Sequence, residues 1–535
     1  MRTSRQIVWL VFACCGLLPS LAFSQNQHDV VRLSQTGLVG SARVQGMGGA
    51  YSAAGADLSS AYLNPAGLGV YRSSNFIVTP GVRSQSSELS YLGNLQQTSK
   101  FQVRLPQIGA AFYNPNYYDS GNGDMQDRGA FRSYVFAFGY HQLEDYAFRS
   151  NLVDAYNERN SITQDWAEQA NGFLPSELFG TSFLAYETFG IDRVGLTADQ
   201  YFAALGPGIT QSLELEQTGR RGEWFVSLAG NIQDKVYLGG TIGMQTLSYS
   251  QTFRWTESDV DGLYQVYDTL PPTSNGFPLE IPSAGLTYED RFSTSGVGIN
   301  ARFGVIFKPS DAFRFGISAQ TPTFLALSDS FSTEIRHALE IDLAGNTEEF
   351  FSTSEDAIFD YNVTTSFKVT AGGMYLIPKQ GFITLDVDYM NYASGSLQSA
   401  VQSVGSAGYY SFNEENQTIA ESLQSAVNVR VGGEYRIDIF RFRAGGAWYG
   451  SPYDSESLEY LDFEDLETTQ QIGGDRRMFT LGLGVRQPNF YWDVSLVSQS
   501  QKSLIWPYQL SADYVSPFVN KRSSNSIVTS LGFNF

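Results

Sequence analysis

From about residue 70 onward, apolar and polar positions alternate with a period of two in run after run. Phe313, Phe315, Ile317 and Ala319 are interleaved with Arg314, Gly316, Ser318 and Gln320. Val427, Val429, Val431, Gly433 and Tyr435 alternate with Asn428, Arg430, Gly432, Glu434 and Arg436, and Phe440, Phe442, Ala444, Gly446 and Trp448 with Arg441, Arg443, Gly445 and Ala447. A strand sends successive side chains to opposite faces, so each run has one face suited to lipid and one suited to a polar interior. About fourteen runs recur, near 74–87, 101–113, 131–142, 222–231, 235–254, 291–308, 312–320, 363–377, 380–392, 426–438, 440–449, 476–487, 489–499 and 525–535. In the last, Ile527, Thr529, Leu531, Phe533 and Phe535 share one face, and the chain ends on the aromatic residue.

The connections between the runs also alternate. Ile232–Asp234, Pro309–Ser310, Pro378–Lys379, Ile439 and Pro488 mark tight turns, while 143–221, 255–290, 321–362, 393–425, 450–475 and 500–524 are long and polar. Counted from the carboxy-terminus, every short turn falls on one side, with 114–130 a longer turn there. A soluble sandwich has no reason to sort its connections in this way, whereas an outer-membrane barrel has short periplasmic turns and long extracellular loops. The expected fold is all-β: a transmembrane antiparallel β-barrel of about 14 strands.

The amino-terminus reads as a secretory signal peptide over 1–24, with Arg2 and Arg5, two apolar stretches and a small-x-small site at Ala22-Phe23-Ser24. Both cysteines, Cys14 and Cys15, lie inside it, so the mature chain has no thiol for a disulfide. A lipoprotein site at Cys14 fits poorly, because Val11 and Phe12 make a weak lipobox. Aromatic content is 14 % and charged content 16 %, the latter well below the roughly 25 % of soluble domains. The mean hydropathy of −0.19 does not look membranous, but alternation averages out in such an index. A formal charge of −20 excludes nucleic acid as an expected partner.

Residues 34–68 break the pattern. They carry Ala42-Arg43-Val44-Gln45-Gly46-Met47-Gly48-Gly49-Ala50, then Ala54 to Asp57, then Asn64-Pro65-Ala66-Gly67-Leu68. The glycines do not make a dinucleotide loop, since the third glycine and a strand-to-helix context are missing. Small residues let a compact plug pack closely against a wall. These motifs, in this order and spacing, resemble the hatch of the long-chain fatty acid transporter family, the FadL/TodX type. The resemblance implies an N-terminal hatch over 25–70, with Gly46, Gly48, Gly49, Asn64, Pro65 and Ala66 as its motif residues, inside a barrel over 71–535. It also implies gating by the hatch and a lateral outlet. The terminal Phe535 is similar to the signal by which barrel-assembly machinery reads an outer-membrane strand.

Candidate chemistry is sparse. His28, His141 and His337 have no metal-ligand spacing, and no catalytic set is visible, so neither an enzyme nor a cofactor is expected. Asp386, Asp388, Arg430, Glu434, Arg436, Arg441, Arg443, Arg314 and Asp493 should point inward, and their mixed signs favour an internal ion-pair lattice over a polar substrate path. The longest loop, 143–221, carries Phe173, Leu174, Leu178, Phe179, Phe183, Leu184, Tyr186 and Phe189, a candidate groove for a hydrophobic ligand. Their spacing between Leu178 and Phe189 suggests a short helix, and the same residues could instead form a mini-core that caps the barrel.

The expected function is passive uptake of hydrophobic molecules such as long-chain fatty acids by a monomer in the outer membrane of a Gram-negative bacterium. Its partners would be the hydrophobic small molecule, membrane lipid and the barrel-assembly machinery. Two other readings stand beside this one: a docking or secretion-associated barrel, suited by the long acidic loops, and a haem or siderophore receptor, which the scarce histidines and short plug count against.

Overall fold

The computed structural model describes residues 27–119, 125–127, 130–194, 199–268, 279–340, 347–401, 409–453, 471–511 and 513–535. The signal-peptide expectation over 1–24 lies outside the described residues. Among the described residues, three short helices come before the first strand, α1 (Gln27–Ser34), α2 (Ala42–Gln45) and α3 (Ser60–Leu63), with a 3₁₀ turn, Pro65–Val70.

Fourteen antiparallel strands follow and close into a barrel. They are β1 (Asn75–Tyr91), β2 (Asn94–Pro115), β3 (Phe131–Asp145, resuming as Phe148–Asn157), β4 (Ile209–Ile232), β5 (Val236–Ser258), β6 (Leu279–Phe307) and β7 (Phe313–Gln320, resuming as Phe324–Glu340). Next are β8 (Ala357–Thr364, resuming as Lys368–Ile377), β9 (Gly381–Asn391, then Ser396–Ser399), β10 (Ser425–Ile437), β11 (Phe440–Tyr449), β12 (Gln471–Arg486), β13 (Phe490–Ile505) and β14 (Phe518–Asn534). β14 pairs with β1 from Asn75↔Asn534 to Ser90↔Val519, which removes the free sheet edges. Among the described residues, three helices lie between strands: α4 (Ile162–Ala170), α5 (Gly180–Glu187) and α6 (Asn413–Ser422).

Each of the fourteen runs read from the sequence falls on one of these strands, but the strands are longer than the runs. β4, β5 and β6 have 24, 23 and 29 residues, where a membrane crossing needs about 9–11. The connections 255–290, 321–362 and 143–221 are therefore shorter than the sequence suggested, because the strands continue as sheet beyond the membrane. The longer turn at 114–130 holds a small hairpin, Tyr117–Asp119 against Met125–Asp127.

The outer face of the lower strands is a continuous apolar belt that includes Phe136, Phe138, Trp224, Ile242, Phe303, Phe315, Leu385, Val431, Leu481, Leu496 and Leu531, all exposed. A band of this size is compatible with lipid and not with water. The inner face buries Thr79, Glu223, Arg302, Asp386, Arg443, Asp493 and Ser530. Tight turns use left-handed residues, Gln233 and Asp234 with φ 51° and 58° and Lys379 with φ 65°, as two-residue hairpins require. Where β7 breaks, Pro322 has no N–H for the ladder, and Thr side chains patch the gap: Ala301 N–H donates to Thr321 Oγ1 at 3.0 Å and Thr323 N–H to Thr365 Oγ1 at 2.9 Å.

Candidate functional site

The N-terminal segment is packed against the inward faces of the wall. Gly48 and Gly49 sit at φ +66° and +75°, and a Cβ on Gly48 would fall 2.8 Å from the Gly446 backbone. The wall yields in return: a Cβ on Gly445 would meet the Met47 carbonyl carbon at 2.2 Å, and one on Gly304 would overlap Asn64 Oδ1. Backbone meets backbone here, and only glycine permits it. Asn64 caps the 3₁₀ turn by accepting from Ala66 N–H at 3.2 Å and donates through Nδ2 to Ser52 O at 2.8 Å, while Pro65 fills the first position of the turn.

Charged side chains fasten this seating. Arg43 reaches Glu434 at 3.0 Å, Glu434 also takes Arg443 at 2.8 Å, and Arg443 reaches Asp493 at 2.7 Å. Asp386 accepts from Tyr51 N–H at 2.8 Å, Ser52 N–H at 3.0 Å and Ser52 Oγ at 2.7 Å. Glu434, Arg443, Asp493, Asp386, Asp388 and Arg430 thus form the ion-pair lattice, with three departures: Arg314 donates to Ala54 O at 2.8 Å, Arg436 is exposed at the end of β10, and Arg441 donates to the carbonyls of Asp438 and Phe440 at the rim. The strands of Arg436 and Arg441 end there, so alternation no longer places them.

Above the lattice lies a small cavity of about 20 Å³. Lys368, Arg430 and Arg476 line it, with Asp388, Tyr62, Met390, Tyr392 and Tyr449. Arg430 pairs with Asp388 at 2.6 Å. The Arg476 guanidinium lies 4.5 Å from the Tyr449 ring centre and donates to Thr36 O at 2.7 Å. The Lys368 ammonium stands 4.7 Å from the Tyr62 ring centre and, among the described residues, has no carboxylate within 4 Å. Met390 and Tyr392 also belong to an apolar cluster with Val30, Leu325, Val363 and Leu397, so a cationic pocket adjoins a greasy one. Sequence reasoning missed this cavity. The only available signal was that Lys368 and Arg476 share the inward parity of their strands.

The wall is parted between β2 and β3. β2 and β3 are hydrogen-bonded from Pro115↔Ser133 up to Gln107↔His141, and among the described residues the ladder stops there. Beyond that point side chains bridge the strands: Gln102 Nε2 donates to Ala147 O at 2.8 Å, Gln96 Oε1 accepts from Val153 N–H at 3.1 Å, and Arg104 faces Asp145 at 3.4 Å. The cause is local, since β3 bulges between Gln142 and Glu144 and breaks after Asp145. Gly37 N–H donates to Leu143 O at 3.0 Å, so the N-terminal segment backs the seam from inside.

The described residues between β3 and β4, 158–194 and 199–208, form a cap over the far end. Its core joins Trp166, Leu184, Ile191 and Tyr201 to Leu89, Tyr91, Trp255, Tyr288 and Phe518 of the surrounding wall and to Tyr508 between β13 and β14. Glu257 is buried beneath α4, accepting from Ser161 Oγ, Ile162 N–H at 2.9 Å, Trp255 Nε1 at 3.0 Å and Gln211 Nε2 at 2.8 Å. Burial still pushes its carboxyl up from the ordinary value. His337, on a strand and not in a loop, pins the end of α5: its ring nitrogens face Thr188 O at 2.9 Å and Ser283 Oγ at 2.8 Å. Of the candidate groove residues, Leu178 and Leu184 are buried in the cap core and Tyr186 is half-buried, whereas Phe173, Leu174, Phe179, Phe183 and Phe189 are exposed on top. The expected short helix is α5, which begins two residues after Leu178 and stops before Phe189.

No protein-family profile and no curated protein matches the sequence. Among solved structures, the chain is similar to a FadL homologue of Pseudomonas aeruginosa, with 13 % identity, a TM-score of 0.49, and 94 % of this chain and 99 % of that one covered. It is likewise similar to the toluene transporter TodX of Pseudomonas putida, at 12 % identity and TM-score 0.48, with 94 % and 100 % covered. A third likeness is the toluene transporter TbuX of Ralstonia pickettii, at 15 % identity and TM-score 0.45, with 94 % and 100 % covered. The fold assignment rests on the strand register above and not on these likenesses.

Proposed function

We propose that the protein is an outer-membrane barrel for passive uptake of hydrophobic molecules, with long-chain fatty acids or related carboxylate amphiphiles as its substrate class. The observation that carries this reading is the cavity where Lys368, Arg430 and Arg476 meet an apolar cluster through Met390 and Tyr392. In a chain of net charge −20, three cations gathered beside an oily cluster suit a molecule with an anionic head and an apolar tail. Exposed Phe173, Leu174, Phe179 and Phe183 on the cap would supply first capture. The N-terminal segment acts as the hatch that blocks a straight water path, and the seam between β2 and β3 is the lateral outlet into the membrane. Phe535 serves as the assembly signal. No chemical step is proposed, and the protein needs no cofactor.

The test is binding of oleate and of oleyl alcohol by the purified protein, compared with Lys368→Ala/Arg476→Ala. The double variant should lose at least tenfold in affinity for oleate and little for the alcohol. Equal affinity for oleate in both proteins removes the carboxylate site. If the unaltered protein binds neither ligand, uptake fails as a reading and a docking role takes its place.

A further inference from the structure

On the outer wall above the lipid belt, between β2 and β6, most cations are matched by acids, with Arg220 the exception among the described residues. Lys100 pairs with Glu216 at 2.8 Å, Arg149 and Arg254 with Glu214 at 2.6 and 2.9 Å, and Arg291 with Glu289 at 2.5 Å. The opposite side of the barrel departs from this rule. On β12 and β13, Arg477 and Lys502 are exposed, outward-facing, and have no carboxylate within 4 Å among the described residues. Lys502 stands directly across from Lys521 of β14. Like charges placed opposite one another destabilise a sheet pair. Glu88 takes Lys521 at 2.6 Å, which leaves Lys502 alone. The nearest acid on β12, Asp475, is turned away, with one oxygen on Trp448 Nε1 at 3.0 Å and the other on Ser451 N–H at 3.2 Å. Between the cations the outer face is a carpet of hydroxyl and amide groups: Ser500 opposite Ser523, Ser523 opposite Ser86, and Asn525 opposite Ser84.

Height decides what could fill this patch. Phe479 on β12 is the last large apolar residue below Arg477, and the pair Leu496↔Ile527 is the last below Lys502↔Lys521. Measured from the shared level Leu481↔Leu496, at roughly 3.3 Å per residue on strands tilted about 40°, Arg477 sits roughly 10 Å and Lys502 roughly 15 Å above it. A phospholipid phosphate reaches only the lower cation. A lipid whose head carries phosphorylated sugars spans both, and its hydroxyls match the serine carpet.

We propose that this face of β12, β13, β14 and β1 is a binding site for a phosphorylated glycolipid of the outer leaflet, with Arg477 and Lys502 as its phosphate ligands and Lys521 as a switchable third. The inference rests on the membrane orientation given above, long loops outward, and not on the identity of the transported molecule. A charge-assisted contact from each cation would hold one lipid per barrel.

The experiment is native mass spectrometry of the delipidated, folded protein with three probes: rough-type lipopolysaccharide, the same lipid after dephosphorylation, and phosphatidylglycerol. One lipopolysaccharide should remain bound, and dephosphorylation should cut retention at least tenfold. Arg477→Ser/Lys502→Ser should do the same, while a control pair in the matched ladder, Arg254→Ser/Arg291→Ser, should retain the lipid. Heat-modifiable gel mobility confirms that each variant is folded, and Lys502→Gln alone serves if the double variant is not. The proposal is overturned if the patch variant retains lipopolysaccharide as the unaltered protein does, or if phosphatidylglycerol displaces it at equal concentration. Oleate binding should be the same in all of these proteins, which keeps this outcome separate from the uptake reading.

Discussion

The two halves of the barrel use one backbone rule with opposite chemistry. On β5, Ile242 and Met244 point outward and Thr241 and Gln245 are buried inward. Further up the same strand the outward residue is Arg254, and the inward pair is Phe253 and Trp255. β3 and β4 repeat the switch, with Phe138 and Trp224 outward below, and Arg149 and Glu214 outward above. On β4 and β5 the parity holds throughout, whereas on β3 the bulge at Gln142–Glu144 shifts it by one residue. What changes is the solvent on each side: lipid outside and a polar lattice inside in the lower half, water outside and an aromatic core inside in the upper half. A strand can therefore run through both zones if its apolar face changes sides once, at the membrane boundary.

The strongest way to break the comparison is to attack each half at its own dry face. Trp255→Ala removes a wholly buried indole from the cap core and should cost about 3–5 kcal/mol locally. The cap between β3 and β4 should then be cut readily by an added protease, while the heat-modifiable shift of the barrel stays. Loss of the folded barrel itself would show that the upper half is not separable. A comparable effect is expected inside the lower half from Glu434→Gln, which strips a buried lattice of the carboxylate shared by Arg43 and Arg443 and should cost about 3–5 kcal/mol. The N-terminal segment should loosen, giving steady ion conductance in planar bilayers where the unaltered protein gives little. A closed trace from the variant would mean that the glycine contacts alone seat it.

A paired charge scan sharpens the boundary. Phe315 and Phe351 are both exposed, but Phe315 lies in the belt and Phe351 on Thr347–Thr353 beyond it, beside Arg336. Phe315→Arg should cost roughly 2–4 kcal/mol of membrane stability, and Phe351→Arg close to nothing. Equal losses in folded yield would overturn the placement of the boundary.

The lower half was legible in the sequence and the upper half was not, for one physical reason. Alternation with Phe and Leu outward is the mark of a strand in lipid, so β7, β10, β11 and β14 stand out. Once Arg254, Glu289 and Arg336 take the outward positions, the same periodicity reads as a polar loop. The glycine-rich N-terminal segment was legible because Gly48 and Gly49 sit at positive φ against the wall and Asn64 caps the turn that follows. The cation cavity was not, since Lys368, Arg430 and Arg476 come from three strands that only closure brings together. The seam between β2 and β3 leaves almost no trace, because it depends on a bulge at Gln142–Glu144 and on side chains reaching across. The apolar residues of the longest loop divide between core and surface within a single helix turn, so one pattern served two jobs.

The smallest effect expected is also the most specific to the upper half, because it concerns acids and a histidine in a dry cap. Burial pushes the Asp165 carboxyl up to about 7; one oxygen accepts from Gln169 Nε2 at 3.0 Å and the other has no partner. Burial pushes the His337 ring down to about 4. The two act in opposite directions. The closed cap holds a proton on Asp165 more tightly than an opened cap does, so this residue adds stability as pH falls from about 7 toward its ordinary 3.8. The closed cap holds a proton on His337 less tightly, so this residue removes stability as pH falls from 6.5 toward about 4. Glu257, raised in the same sense as Asp165, adds to the first effect. Between pH 7 and pH 5 each of the two leading contributions is about 2 kcal/mol, and they largely cancel. Protease cutting of the unaltered cap should therefore change little over that range. Asp165→Asn leaves the histidine unopposed, so acidification should speed cutting; His337→Gln leaves the acids unopposed, so acidification should slow it. If both variants respond to pH with the same sign, the buried groups of the cap do not control its closure.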